Sequence, residues 1–210
     1  MKNLVTGLMV VWTSLTCPAH AADLEYIGQQ IIPNGTVFNS TNIGGLSAID
    51  YDPASKRYFA LSDDRSEHNA MRFYTFSLDL EKFKRDSQPG MAGVHFENVT
   101  SILQANGNVY PKGGADPEGL RYDAKRHALY WSNEGKRGWT RFQNPSVRGM
   151  DESGKYLRDF AVPAYYNPAG SSGGSRSKDM GVYDNRGFES LAISADGKTL
   201  WTATEEGLAQ

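Results

Sequence analysis

The feature of the sequence that most constrains its fold is an internal repeat whose three copies follow each other at equal spacing. The copies align without gaps: SAIDYDPASKRYFALSD from Ser47, EGLRYDAKRHALYWSNE from Glu118 and ESLAISADGKTLWTATE from Glu189. Each copy has an apolar anchor and, at the same distance after it, an acidic residue; the anchors are Ile49, Leu120 and Leu191, and the acids are Asp63, Glu134 and Glu205. Such a repeat predicts copies of one structural unit packed against each other.

Each segment has the pattern of a strand, a polar turn and a second strand. The dipeptides Asp52-Pro53, Asp123-Ala124 and Asp196-Gly197 mark the turns, and aromatic and β-branched residues follow them. Residues 72–78 and 155–162 are further strand candidates, and no long stretch has helical periodicity. The sequence therefore predicts an all-β protein.

Repeated units of several short strands are typical of the blades of a β-propeller, in which equivalent positions face a shared channel. The spacing of the anchors, from Ile49 to Leu120 to Leu191, exceeds the roughly 40–50 residues of common propeller repeats. Long loops, such as 86–93 and 167–178, must account for the difference. Three units are fewer than the roughly four to eight blades of a closed propeller. We therefore expect residues 22–210 to form the N-terminal part of a larger propeller domain that continues beyond this chain.

The N-terminal residues have the pattern of a secretory signal peptide. Lys2 precedes an apolar run from Leu4 to Leu15, and Ala19-His20-Ala21 fits a signal-peptidase site. The run is shorter than the about 20 residues that a membrane-spanning helix needs. We expect residues 1–21 to be removed after Ala21, and the mature chain to be periplasmic or secreted without stable insertion in a membrane.

Composition argues against several classes of site. The formal net charge of −2 provides no overall basic field for nucleic acid. The only cysteine, Cys17, lies within the predicted signal peptide, so the mature chain has no thiolate ligand and no disulfide. The histidines of the mature chain form no i, i+4 pair of the zinc-protease type; they are His68, His95 and His127. A metal site would therefore have oxygen ligands.

If the hairpins are equivalent, their acidic residues meet in space. Clustered carboxylates repel each other unless a cation neutralises them, and oxygen ligands favour Ca²⁺, which takes about 6–8 of them. A single acid near a turn is more often only surface charge, but the shared register favours a cluster. The predicted metal ligands are Asp63, Asp64, Asp116, Glu118, Glu134, Glu189 and Glu205. The catalytic candidates among them are Glu118, Glu134 and Glu189.

Basic residues follow the same acids along the chain. A cation flanked by Arg and Lys suits phosphate, because the cation neutralises phosphoryl oxygens and a guanidinium binds them in bidentate fashion. Each basic residue could instead belong to a surface ion pair. The predicted phosphate-binding residues are Arg65, Lys136, Arg137 and Arg186.

Several short motifs together resemble the bacterial family known as "esterase-like activity of phytase". The motifs are GLSAI, ALSDDR, DPEGL, WSNEG and NRGFESL, and the resemblance extends over residues 26–210. It implies an exported propeller with recurring Glu and Asp, and the family name implies hydrolysis of phosphoesters. Ser47 stands where the later repeats have Glu118 and Glu189, so the predicted ring of acids is uneven.

Three functions fit these observations. The first is an exported, calcium-assisted hydrolase in which water attacks a small-molecule phosphoester, monomeric when full length. The second is a propeller without catalytic activity that binds calcium for stability and presents its loops to a partner. The third is a lactonase-type propeller with one metal in its channel.

Overall fold

The computed structural model describes residues 24–139 and 141–210, and this part of the protein is all-β with almost no helix. The two helical segments, Leu80–Lys82 and Ala164–Tyr166, are single 3₁₀ turns. The strands are β1 (Val37–Phe38), β2 (Thr41–Asn42), β3 (Leu46–Asp52), β4 (Arg57–Ser62), β5 (Arg72–Leu78), β6 (Val94–Ser101), β7 (Pro117–Asp123), β8 (Ala128–Asn133), β9 (Lys136–Arg137), β10 (Phe142–Gln143), β11 (Ser146–Asp151), β12 (Tyr156–Asp159), β13 (Phe188–Ile193) and β14 (Leu200–Thr204).

The strands form three principal antiparallel sheets that do not close on themselves. The first sheet has the order β3-β4-β5-β6, the second β7-β8-β11-β12, and the third is the hairpin β13-β14. Two short ribbons, β1-β2 and β9-β10, flank them. Within each sheet the strands follow in chain order, with the β9-β10 ribbon inserted between β8 and β11, so the connections stay local.

The strand bounds reproduce the repeat. Strands β3, β7 and β13 begin at equal intervals along the chain, and β4, β8 and β14 end at the same intervals. The three predicted hairpins and the predicted strand at 72–78 are confirmed. The candidate at 155–162 is shorter than predicted, because only β12 within it is paired, and strands β6 and β11 were not predicted.

Strand β8 is buried along its whole length and lies at the centre of the packing. Its side chains alternate between two hydrophobic cores, as the two-residue period of a strand requires. Leu129 and Trp131 pack into the core shared with the first sheet, and Tyr130 packs into the core shared with Phe188 of the third sheet. The second sheet is therefore covered on both faces.

Hydrogen bonds join equivalent positions of neighbouring sheets. The Tyr122 amide donates to Asp50 Oδ2 at 2.7 Å, across a sequence separation of 72 residues. Arg126 Nη1 donates to the Gly197 carbonyl at 2.9 Å, across a separation of 71 residues. The first strand of the second sheet lies against the first strands of both other sheets. The three hairpins are thus stacked side by side in one orientation.

The predicted signal peptide, residues 1–21, lies outside the described residues. Within residues 24–139 and 141–210, no helix is long and apolar enough to cross a membrane.

Candidate functional site

Antiparallel pairing places the start of the first strand of each hairpin next to the end of the second strand, at the open end of the hairpin; we call this side of the sheets the acidic edge. In each case the first strand carries a β-bulge next to this edge, seen as a register shift at 46–48, 117–120 and 188–190. A bulge inserts an extra residue and redirects its side chain. The bulged positions are those of Ser47, Glu118 and Glu189. The bulges at Glu118 and Glu189 explain how these acids, near the start of β7 and β13, come close to Glu134, which follows β8.

Five of the predicted acids lie together at this edge and form what we call the acid cluster: Asp116, Glu118, Glu134, Glu189 and Glu205. They fall into two overlapping groups, Asp116–Glu118–Glu134 and Glu134–Glu189–Glu205. Within each group, one carboxylate oxygen per residue lies within 4.8 Å of the others. Glu134 belongs to both groups and is only 1% exposed, so it is the central residue of the cluster.

Backbone contacts from two sheets hold Glu134 in place. Its amide donates to the Asp116 carbonyl at 2.8 Å, and the Gly187 amide donates to Glu134 Oε1 at 3.2 Å. A Cβ at Gly187 would lie 1.8 Å from the Glu134 carbonyl oxygen, so only glycine fits there. Glu134 Oε2 is buried and has no hydrogen-bond partner among the described residues. This oxygen can therefore take a cation, or a proton that it shares with Asp116.

Burial and mutual repulsion raise the pKa values of these carboxyls. Burial, followed by the neighbouring Asp116, raises the pKa of Glu134 to about 9. Burial and the charge of Glu189 raise the pKa of Glu118 to about 8. The pKa values of Asp116 and Glu189 are raised as well, again mainly by burial. Such carboxyls favour a bound proton or a bound cation, and a set of oxygen ligands fits a hard cation such as Ca²⁺.

Arg65 connects the first sheet to the acid cluster. Its Nε lies 2.8 Å from Asp116 Oδ1, although the N–H does not point at that oxygen, and its Nη2 donates to Asn185 Oδ1 at 3.2 Å. Lys136 lines a pocket together with Arg65 and Asp116. These two predicted phosphate-binding residues are therefore next to the carboxylates.

Asp63 and Arg186 lie at the margin of the cluster. The pKa of Asp63 is raised by partial desolvation and by the charge of Asp64, and its amide donates to the Gly45 carbonyl. Arg186 forms ion pairs with two acids that follow β14, Glu205 and Glu206. Arg186 therefore neutralises acids at the rim, and Asp63 lies outside both three-acid groups.

The structure places Asp64 in a buried ion pair and not in the acid cluster. Its Oδ2 accepts from Arg72 Nη1 at 2.8 Å, and both side chains are less than a tenth exposed. The cost of burial is outweighed by Arg72 and by backbone amides of the following turn, so the pKa of Asp64 is lowered. All these contacts make Asp64 a structural anchor of the loop that carries Arg65.

The side chain of Arg137 is likewise committed elsewhere. It is buried, and its guanidinium donates to four backbone carbonyls, those of Ala169, Ser171, Met180 and Val182. Its amide donates to Asp184 Oδ1 at 3.0 Å. Arg137 thus connects the long loop before β13 to the segment after Glu134, through bonds from its guanidinium to backbone carbonyls.

Two basic residues beside Asp116 have no counterpart in the predicted set. Lys112 and Arg141 line the same pocket as Arg65 and Lys136. Neither residue belongs to the aligned hairpin segments, so the repeat contained no signal for them.

Comparison with known proteins places the chain in a family. The sequence model of the phytase-like family, described as "esterase-like activity of phytase", matches residues 41–210. The chain belongs to this phytase-like family. The match includes all three hairpins and every member of the acid cluster.

Two solved structures are similar in outline. The periplasmic gluconolactonase PpgL of Pseudomonas aeruginosa matches with a TM-score of 0.43 and 12% identity over 78% of this chain and 38% of its own. A putative 6-phosphogluconolactonase from Bacteroides uniformis ATCC 8492 matches with a TM-score of 0.33 and 9% identity over 80% of this chain and 52% of its own. This phytase-like chain thus spans about half or less of their lengths, and similarity this low carries no functional argument. No curated protein matches the sequence significantly.

Proposed function

We propose that this phytase-like protein is an exported, calcium-dependent phosphoester hydrolase in which a water molecule attacks phosphorus at the acid cluster. The observation that carries the proposal is the position of Glu134. Glu134 belongs to both groups of carboxylates, and its Oε2 is buried without a hydrogen-bond partner among the described residues. Asp116 beside it also lines a pocket with basic walls. Membership of the family supports hydrolysis as the reaction.

The residues that would hold Ca²⁺ are the five members of the acid cluster, with Asp63 as a further candidate at the margin. Their oxygens are the ligand type that this ion prefers. When bound, the ion would lower the pKa of a water molecule and neutralise charge on phosphoryl oxygens. A cation would also remove the repulsion that raises the pKa values of Glu118 and Glu134.

The side chains of the cluster divide into two roles. Glu118 is partly exposed, so it can accept a proton from a water molecule that reaches the cluster. Glu134 is buried and fixed by Gly187, so it orients the other carboxylates and binds the cation. Arg65 and Lys136 bind phosphoryl oxygens and stabilise the negative charge that develops on them.

Architecture and location follow from the same proposal. The stacked hairpins correspond to blades of a larger β-propeller, and the acid cluster lies where neighbouring blades face the central channel. Removal of residues 1–21 would release the protein into the periplasm or the medium as a monomer. N-terminal sequencing of the secreted protein tests this point, and a chain that still begins at Met1 would contradict it.

The decisive experiment is an activity assay of the purified natural protein with Ca²⁺. A panel of phosphomonoesters and phosphodiesters that includes phytate should reveal turnover that chelation abolishes. The Glu134→Gln variant is the matched control, because it keeps the shape of the side chain and removes the ligand charge. If no substrate is turned over faster than by this variant, the protein is not a hydrolase of phosphoesters; calcium-dependent stability would then indicate a binding module.

A further inference from the structure

A pocket of about 270 Å³ opens beside Asp116, and we call it the cationic pocket. Its walls carry four basic side chains and two acidic ones; the basic residues are Arg65, Lys112, Lys136 and Arg141, and the acidic residues are Glu67 and Asp116. The basic residues come from three separate parts of the chain. The pocket therefore exists only in the folded protein.

Hydrogen bonds to backbone carbonyls hold the segments that line the pocket together. The Gly113 amide donates to the Arg65 carbonyl at 2.6 Å, and one nitrogen of the Arg141 guanidinium, Nη2, donates to the Gly113 carbonyl. Gln143 of β10 donates to the next carbonyl, that of Gly114. The segment that carries Lys112 is thus held between the Arg65 loop and the β9-β10 ribbon.

The charge of the cationic pocket differs from that of the whole protein. With all groups ionised, the four basic side chains exceed the two carboxylates by two positive charges, whereas the complete chain has a formal net charge of −2. A local excess of positive charge in a recess attracts and orients anions. Guanidinium groups bind phosphoryl oxygens in bidentate fashion, and ammonium groups contribute point charges.

We infer that the cationic pocket binds the phosphoryl group of a phosphomonoester dianion, and that Lys112 and Arg141 determine the preference for a dianion over a singly charged phosphodiester. The two excess positive charges of the pocket lining match the charge of a monoester and exceed that of a diester, and a cation bound at the acid cluster would offset the neighbouring carboxylates. Asp116 is shared by the pocket and the acid cluster, so a group bound there lies beside the carboxylates. This inference rests on the proposed hydrolase function and specifies its substrate class.

The first test uses inorganic phosphate as the probe. Calorimetric titration of the natural protein with phosphate should show one site, at pH 7 and constant ionic strength, in Ca²⁺ kept low enough that calcium phosphate stays dissolved. Lys112→Ala and Arg141→Ala should each raise Kd about tenfold, the effect of losing one charge-assisted contact. Arg141→Lys should weaken binding less than Arg141→Ala, because lysine keeps the positive charge and loses only the bidentate hydrogen bonds of the guanidinium.

Matched controls replace basic residues outside the pocket. Lys155→Ala and Arg85→Ala remove exposed cations from other loops and should leave the Kd for phosphate unchanged. Circular dichroism should show that all variants are folded. Equal phosphate binding by Lys112→Ala, Arg141→Ala and the wild type, or no binding by the folded wild type, overturns the inference.

Kinetics separate this inference from the proposed function. In the hydrolase, each pocket variant should lower kcat/KM for monoesters about tenfold more than it lowers kcat/KM for diesters. If the protein hydrolyses phosphoesters but the variants keep the wild-type ratio, the pocket is not the specificity site and the hydrolase function stands. If nothing is hydrolysed but phosphate binding depends on Lys112 and Arg141, the hydrolase function fails and the anion site stands.

Discussion

Replacing Glu134 by Gln should have opposite effects on stability with and without calcium. Without a cation, the pKa of Glu134 is raised from its ordinary 4.5 to about 9, so between these pH values the folded protein retains a proton that the unfolded chain releases. The free energy of unfolding therefore falls as pH rises through this range. Gln mimics the protonated carboxyl at every pH, because its amide group can donate to Asp116 while its oxygen accepts from Gly187.

The size of the effect follows from the pH at which it is measured. At pH 7, keeping a carboxyl with an ordinary pKa of 4.5 protonated costs about 3 kcal/mol, at about 1.36 kcal/mol per pH unit. Any folded-state pKa above 7 gives the same figure, so the result does not depend on the value of 9. For a chain of this size, about 3 kcal/mol corresponds to an increase in Tm of about 6–12 °C.

The assay is thermal unfolding followed by circular dichroism at pH 5, 6, 7 and 8, in excess chelator and in excess Ca²⁺. In chelator, Glu134→Gln should be more stable than the wild type, and the difference should widen with pH. In Ca²⁺, the wild type should gain stability because only its folded state binds the ion, and the variant should gain little. The exposed Glu81→Gln is the control. A variant that is less stable than the wild type in chelator, or equally stabilised by Ca²⁺, would refute the reasoning.

Three further outcomes are expected. Calcium affinity should rise between pH 7 and 9 with release of protons, because Glu118 and Glu134 have pKa values of about 8 and 9; calorimetry in two buffers of different ionisation enthalpy measures it. Gly187→Ala should lower both Tm and calcium affinity, because its Cβ would lie 1.8 Å from the Glu134 carbonyl oxygen; unchanged calcium binding would contradict this contact. Asp64→Asn should destabilise by about 3 kcal/mol in denaturant titration, because it leaves the buried charge of Arg72 without its carboxylate partner, and the loss should be the same with and without Ca²⁺.

The fold was predictable from the sequence wherever the repeat and the two-residue period were visible. The hairpins repeat with identical spacing, and β5 coincides with the predicted strand because Tyr74, Phe76 and Leu78 alternate with the polar residues Thr75 and Ser77. Strand β11 was not predicted, because Gly149 within it lowers the propensity for a strand. Its pairing with β8 stabilises it, and pairing is a tertiary contact that no local pattern shows.

The same distinction applies to the site. Glu118, Glu134 and Glu189 were found because the repeat placed them in register, and the structure brings them together. The roles of Asp64 and Arg137 could not be predicted, because they depend on partners that only the folded chain brings close. The carbonyls that Arg137 contacts are 32 to 45 positions away in sequence. Local charge alone does not distinguish a ligand from an internal anchor.

The hairpin turns lie at the opposite edge of the sheets from the carboxylates. Strand β7 has seven residues, so at about 3.3 Å per residue roughly 20 Å separate its turn from the acid cluster. These turns are exposed and suit covalent attachment of the protein to a support or a fluorophore. Since Cys17 is the only cysteine in the sequence, Ala124→Cys would provide the only thiol beyond that position. If the protein is immobilised through this thiol, the acid cluster will point away from the support and toward the solution.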